Sequence, residues 1–133
     1  MNFTSRLISA PLFTVHGLIH LMGFFAYWPL MTLSDLPYKT TFMSGYIDFS
    51  PIGVRLLSLL WLASALGFMS VGMALILEWP IKQSTLWIVT LLSLAVTVFD
   101  FSIAFRGTLI DILILVLLIF ISQTSGFKLL RGK

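Results

Sequence analysis

Four long apolar runs, separated by short polar interruptions, dominate the chain: residues 8–30, 52–77, 84–105 and 108–124. Each approaches the ~20 residues that a helix needs to cross about 30 Å of hydrocarbon. Lipid offers backbone groups no partners, so every run is predicted to be helical, including the fourth with its many Ile and Val side chains. The expected fold is therefore all-α, an antiparallel four-helix bundle in a membrane, forming one domain over residues 1–133. The links "EWPIKQ" (78–83) and "RG" (106–107) are tight, which makes helices 2, 3 and 4 sequential neighbours. The link over 31–51 is long for so small a protein, and is read either as a lid over one end of the bundle or as a plain surface loop.

Polar residues inside the runs fall on faces. His16, His20, Gly23 and Tyr27 follow an i, i+4, i+7, i+11 spacing, one side of a helix. Gly23 leaves room there for a neighbouring backbone or a ligand. Thr90, Ser93, Thr97 and Asp100 make a second stripe on helix 3. With the last turn placed at 106–107, Asp100 lies about five residues, roughly 7 Å, from the end of helix 3. Asp111 lies about one turn into helix 4, and Arg55 opens helix 2 at the same end. Facing stripes would enclose a polar pocket open at that end and closed below by apolar packing. The plainer reading keeps the histidines as interhelical hydrogen-bonding groups, Asp100, Arg106 and Asp111 as a salt-bridged cap on the turn between helices 3 and 4, and Asp111 also as an acceptor for the first-turn amides of helix 4.

Composition places the chain in a membrane. Of its 133 residues, 59% are hydrophobic and only 10% charged, against about 25% charged in a soluble domain. The mean hydropathy is +1.05. The absence of cysteine excludes disulfides and thiol chemistry. The net charge of +3 comes from scattered basic residues and reads as topology, not nucleic-acid binding. Arg6, Lys82, Lys128, Arg131 and Lys133 outnumber Lys39, Arg55 and Arg106 on the other side, where Asp35 and Asp48 also fall. This excess places both termini in the cytoplasm and the long loop outside, as expected of a bacterial inner-membrane protein. Trp28, Trp79 and Trp87 near the run ends fit interfacial aromatics. The first run is too long for a signal-peptide core, so no cleaved leader is expected.

Charged or titratable groups in a span mark function by default. A metal is considered first: His16 and His20 at i, i+4, with Asp100 and Asp111, make a conceivable donor set. H-x-x-x-H lacks the Glu of a metalloprotease helix, and both carboxylates are predicted nearer the surface than His16, so no metal is assigned. Two histidines one turn apart on one helix cannot straddle a haem. His20 and Asp100 are the acid–base pair that a small membrane enzyme would use on a lipid-like substrate. Binding without chemistry suits the aromatic wall of Phe13, Phe24, Phe25, Tyr27, Trp28 and Trp61. A transporter pore is disfavoured, because no broken helix or inverted repeat is visible.

The segment "HGLIHLMGF" (16–24) resembles the H-G-x-x-H-x-x-G-F opening of small four-span bacterial membrane proteins, grouped loosely as DoxX-like. "LWL" (60–62) and "FRGTLID" (105–111) match that pattern's later elements, the second as F-x-G-T-x-x-[DN]. The resemblance implies four spans and singles out His16, His20, Gly23, Gly107, Thr108 and Asp111. It also implies an accessory role, since DoxX-like proteins are associated with quinone-linked redox partners.

The expectation is a pocket formed by His16, His20, Gly23, Tyr27, Arg55, Asp100 and Asp111 that binds an amphiphilic, quinone-like or lipid-like ligand. The protein would then serve as an accessory of a membrane redox or lipid-processing system. A small enzyme using His20 and Asp100 is the alternative, and a structural subunit of a larger membrane complex or homo-oligomer is the third reading. The cofactor is left open.

Overall fold

A computed structural model shows four helices in an all-α bundle. It describes residues 3–130, with side chains over 7–120 and at 122 and 123. The Arg6 and Lys128 side chains, and all of Arg131 and Lys133, lie outside the described residues. The helices are α1 (Phe3–Tyr27), α2 (Pro51–Ile76), α3 (Gln83–Phe99) and α4 (Phe101–Leu130). Three stretches, Leu7–Tyr27, Pro51–Ile76 and Phe101–Phe120, are long and apolar enough to cross a membrane. α3 is apolar but has 17 residues, about 25 Å of helix. The outer faces carry exposed Leu7, Leu18, Leu56, Ile88 and Leu113, a surface suited to lipid.

Local sequence explains the ends. Ser50 caps α2, its side-chain oxygen accepting from the Gly53 amide at 3.2 Å, with Pro51 following in the first turn. α2 stops where Glu78 turns to a φ of 60° and the Trp79 amide reaches back to the Ala74 carbonyl at 2.9 Å.

α1 packs on α2, α2 on α3 and α3 on α4. The α1–α2 contact is set by glycines. A Cβ on Gly17 would lie 2.8 Å from the Ala65 carbonyl oxygen, one on Gly72 would be 3.0 Å from the Ala10 carbonyl oxygen, and one on Gly23 would run into the Trp61 ring. Small residues let two backbones close this far in a medium that supplies no hydrophobic drive between helices.

Two features depart from the sequence expectation. The α3–α4 corner falls at Asp100, whose carbonyl accepts from the Ile103 and Ala104 amides at 2.9 and 2.8 Å. Arg106 and Gly107 are not a turn but part of α4, where Gly107 lets α4 approach Thr97. The long link is also structured. Thr41–Phe42 (β1) and Ile47–Asp48 (β2) form a two-stranded hairpin, and Phe42 is fully buried in the end of the bundle. Phe42 packs with Tyr27, Val54, Leu57, Trp61 and Val96, and burying such a ring contributes about 2–3 kcal/mol. The hairpin is a plug tied into the core, which closes the end where the sequence expects the pocket to open.

Candidate functional site

The buried positions of α1 include Ala10, His16, Gly17, His20, Gly23 and Tyr27, so the face read from sequence is the face that points inward. Against it α3 sets Thr90, Ser93, Val96 and Thr97, the corner sets Asp100, and α4 sets Thr108, Asp111, Ile114 and Leu118. His16, His20, Asp100 and Asp111 are each no more than 3% exposed.

These polar groups divide into two clusters. Near the hairpin end, the Tyr27 hydroxyl donates to Asp100 Oδ2. Lys39, reaching in from the loop, places its ammonium 2.5 Å from Asp100 Oδ1. That ion pair supplies the partner for an oxygen that makes no hydrogen bond by strict geometry. Lys39 also lies 5.2 Å from the centre of the Phe42 ring, so the same loop segment contributes both the plug and the counter-charge.

The second cluster is deeper. His16 lies eleven residues before Tyr27, and Asp111 eleven after Asp100. At 1.5 Å per residue, both stand about 16 Å from the Tyr27–Asp100 pair, at one level. His16 Nε2 donates to Asp111 Oδ1 at 2.9 Å. Ser93 Oγ donates to the same carboxylate at 2.7–2.8 Å, and Thr97 Oγ1 to Asp111 Oδ2 at 3.2 Å. His20 Nε2 lies 2.6 Å from Ser93 Oγ and 3.3 Å from His16 Nε2. Since Ser93 spends its proton on Asp111, His20 donates to Ser93. The ring of Phe68 backs the group, stacked on His20 at 5.9 Å and edge-on to His16 at 4.6 Å between centroids.

A cleft of about 330 Å³ reaches this cluster from the side. Ile19 and Met22 of α1 face Ile103, Ala104, Gly107 and Ile110 of α4, with His16, His20, Trp61 and Thr97 further in and Asp35, Leu36 and Arg106 towards the hairpin. It exists because α1 and α4 do not pack backbone to backbone as the sequential helices do. Three nitrogens on its lining residues, His16 Nδ1, His20 Nδ1 and Trp61 Nε1, are buried without a partner among the described residues. A larger groove of about 630 Å³ runs under the α2–α3 connection, but its polar groups Ser70, Lys82 and Thr85 are all exposed.

Comparison with known protein families, curated proteins and solved structures gives no match. The site therefore stands on its own geometry.

Of the residues expected at the site, His16, His20 and Asp111 are brought together. Tyr27 and Asp100 form the separate pair with Lys39. Gly23 serves as the seat of the Trp61 ring, 5.2 Å from His20 between ring centres. Arg55 is exposed, one position off the buried Val54–Ser58 face of α2, and does not line the cleft. No hydrogen bond among the described residues joins His20 to Asp100; the carboxylate that reaches an imidazole is Asp111, on His16. Ser93 and Thr97, visible as a stripe but not placed in the expected site, complete the cluster. Lys39 reads in sequence only as a loop charge, and no local pattern marks a loop lysine that pairs with a buried aspartate 61 positions further on.

Proposed function

We propose that this protein holds an amphiphilic ligand, quinone-like or lipid-like, with its polar head towards His16, His20 and Trp61 and its apolar part along the α1–α4 cleft. The observation that carries this reading is the pairing of apolar cleft walls with buried, unpartnered nitrogens at the inner end. Entry from the flank suits a molecule already dissolved in the bilayer, and the plugged hairpin end argues against entry from water. The excess of Arg and Lys in the terminal segments and the 78–83 link supports an inner-membrane protein with both termini cytoplasmic. The resemblance of residues 16–24 to DoxX-like proteins supports an accessory role in a membrane redox or lipid-processing system, as analogy.

A second reading, a small membrane enzyme, rests on the buried His16–Asp111 hydrogen bond, an imidazole oriented by a carboxylate beside a cleft. One experiment separates the readings. Detergent-solubilised wild type and the His16→Leu/His20→Asn variant are titrated with a short-chain ubiquinone and, separately, with a short-chain phospholipid. Saturable binding lost in a variant that still folds supports the ligand role. Binding retained with turnover lost supports the enzyme. No saturable binding of either probe to wild type removes the ligand reading.

A further inference from the structure

We propose that His16, His20 and Asp111 are the ligands of a divalent first-row transition cation of the zinc or ferrous-iron class. One donor atom from each of the three lies within 4.8 Å of the others, all three residues are buried, and they come from helices far apart in sequence. Two features of the sequence argue against a metal. The missing Glu of a metalloprotease helix bears on hydrolysis and not on ion binding. The depth mismatch disappears once the corner is at Asp100, which brings Asp111 level with His16.

The hydrogen bonds themselves point to an ion. In the tautomers that let an ionised Asp111 accept from both His16 and Ser93, His16 donates from Nε2 to Asp111 and His20 from Nε2 to Ser93. The two Nε2 atoms then confront each other at 3.3 Å as two donors with no acceptor between them. That is a poor contact for two neutral imidazoles. It matches the edge of a tetrahedral site, where nitrogens bound at about 2.0–2.1 Å stand about 3.3–3.4 Å apart. Replacing the two Nε2 protons by one cation turns the confrontation into two metal bonds. A tetrahedral site requires the His16–Asp111 distance to open by about 0.4 Å and the widest donor pair, up to 4.8 Å apart, to close towards about 3.4 Å as the Ser93 hydroxyl steps away from His20. Each imidazole then carries its proton on Nδ1, the atom buried without a partner among the described residues. Ser93 and Thr97 keep Asp111 oriented by donating to its oxygens, as outer-shell groups do. Two imidazoles and one carboxylate, with no thiolate in the chain, fit zinc or ferrous iron and leave a coordination position for a ligand. This inference is independent of what occupies the cleft.

The test uses tag-free, full-length protein in detergent, stripped with a chelator and then equilibrated with Zn²⁺ alone. Bound metal is counted by mass spectrometry after gel filtration, and a parallel sample takes Co²⁺ as a spectroscopic probe. Wild type and Asp48→Asn, an exposed hairpin carboxylate that does not line the cleft, are expected to retain one zinc per chain. His20→Gln and Asp111→Asn are expected to lose it, with at least about tenfold weaker Co²⁺ binding and loss of the ligand-field bands. The Asn and Gln side chains keep hydrogen-bonding capacity, and thermal melts of the stripped proteins identify whichever of the two folds. Zinc in wild type no higher than in a non-binding membrane protein overturns the proposal, as does equal retention in the folded variant. Ubiquinone binding by the stripped wild type would leave the proposed function standing if the metal fails.

Discussion

The imidazole of His16 and the carboxylate of Asp111, ninety-five positions apart, meet at 2.9 Å inside the bundle and tie α1 to α4 across the cleft. Asp111 is the acceptor on which Ser93 and Thr97 also converge, so three side chains meet on one buried carboxylate. Replacing it with Ala strands three buried donors and is expected to cost about 3 kcal/mol or more. Asp111→Asn keeps an acceptor oxygen and is expected to cost about 1–2 kcal/mol. Thermal unfolding in detergent measures both, and equal melting temperatures for Asp111→Ala and wild type would remove Asp111 as the hub.

Lys39 and Asp100 hold the hairpin plug. Lys39→Met leaves the fully buried Asp100 with Tyr27 alone, and about 3 kcal/mol of destabilisation is expected. The double variant Lys39→Met/Asp100→Asn removes both charges while the Asn oxygen still accepts from Tyr27, and is expected to recover most of that loss. Hydrogen exchange over 36–49 reads the plug directly. It should quicken in the single variant and return towards wild type in the double. Unchanged exchange in Lys39→Met would mean that Phe42 alone holds the loop.

The helical runs and the inward face of α1 were legible because period and apolar length are local properties. His16, His20, Gly23 and Tyr27 had to share a side of any helix that contained them. The corner was not legible. "RG" at 106–107 looks like a turn, yet Gly107 is a packing residue whose missing Cβ admits Thr97, and nothing in sequence separates those two uses of glycine. That one displacement moved Asp111 from near the surface to the level of His16. The inward reach of Lys39 and Phe42 depends on a loop path, and Arg55 misleads because it is one position away from a buried face. The sideways cleft depends on which helices fail to pack backbone to backbone, a property of the assembled bundle alone.

Gly17 and Gly45 test whether the close α1–α2 approach is energetically important. A methyl group on Gly17 meets a backbone oxygen and the Met69 side chain at 2.8 Å, and the backbone cannot step aside without parting the helices. Gly17→Ala is therefore expected to cost about 2–3 kcal/mol. Gly45, at the hairpin tip, has open space around it but a φ of 93°, so Gly45→Ala is expected to cost only about 1 kcal/mol of backbone strain. Chemical or thermal denaturation of the pair gives the order. The reverse order would mean that α1 and α2 can slide apart without loss.

Ile19 sits on the rim of the cleft, half exposed, on the α1 side of the gap to α4. A tryptophan there has lipid on one flank and the cleft on the other, so its extra bulk can fill the gap without entering the packed core. Ile19→Trp is expected to leave stability within about 0.5 kcal/mol, as for other changes outside packed or hydrogen-bonded positions. Its effect on a cleft ligand should be large, because the indole takes volume from a cleft of about 330 Å³. Short-chain ubiquinone or phospholipid binding, whichever wild type shows, is expected to weaken by about tenfold or more, equivalent to about 1.4 kcal/mol. Leu109→Trp supplies the comparison, since Leu109 is exposed on α4 and does not line the cleft. It adds a lipid-facing indole and should leave binding unchanged. Equal weakening by both substitutions would trace the effect to the membrane surface of the protein, and no weakening by Ile19→Trp would place the ligand somewhere other than between α1 and α4.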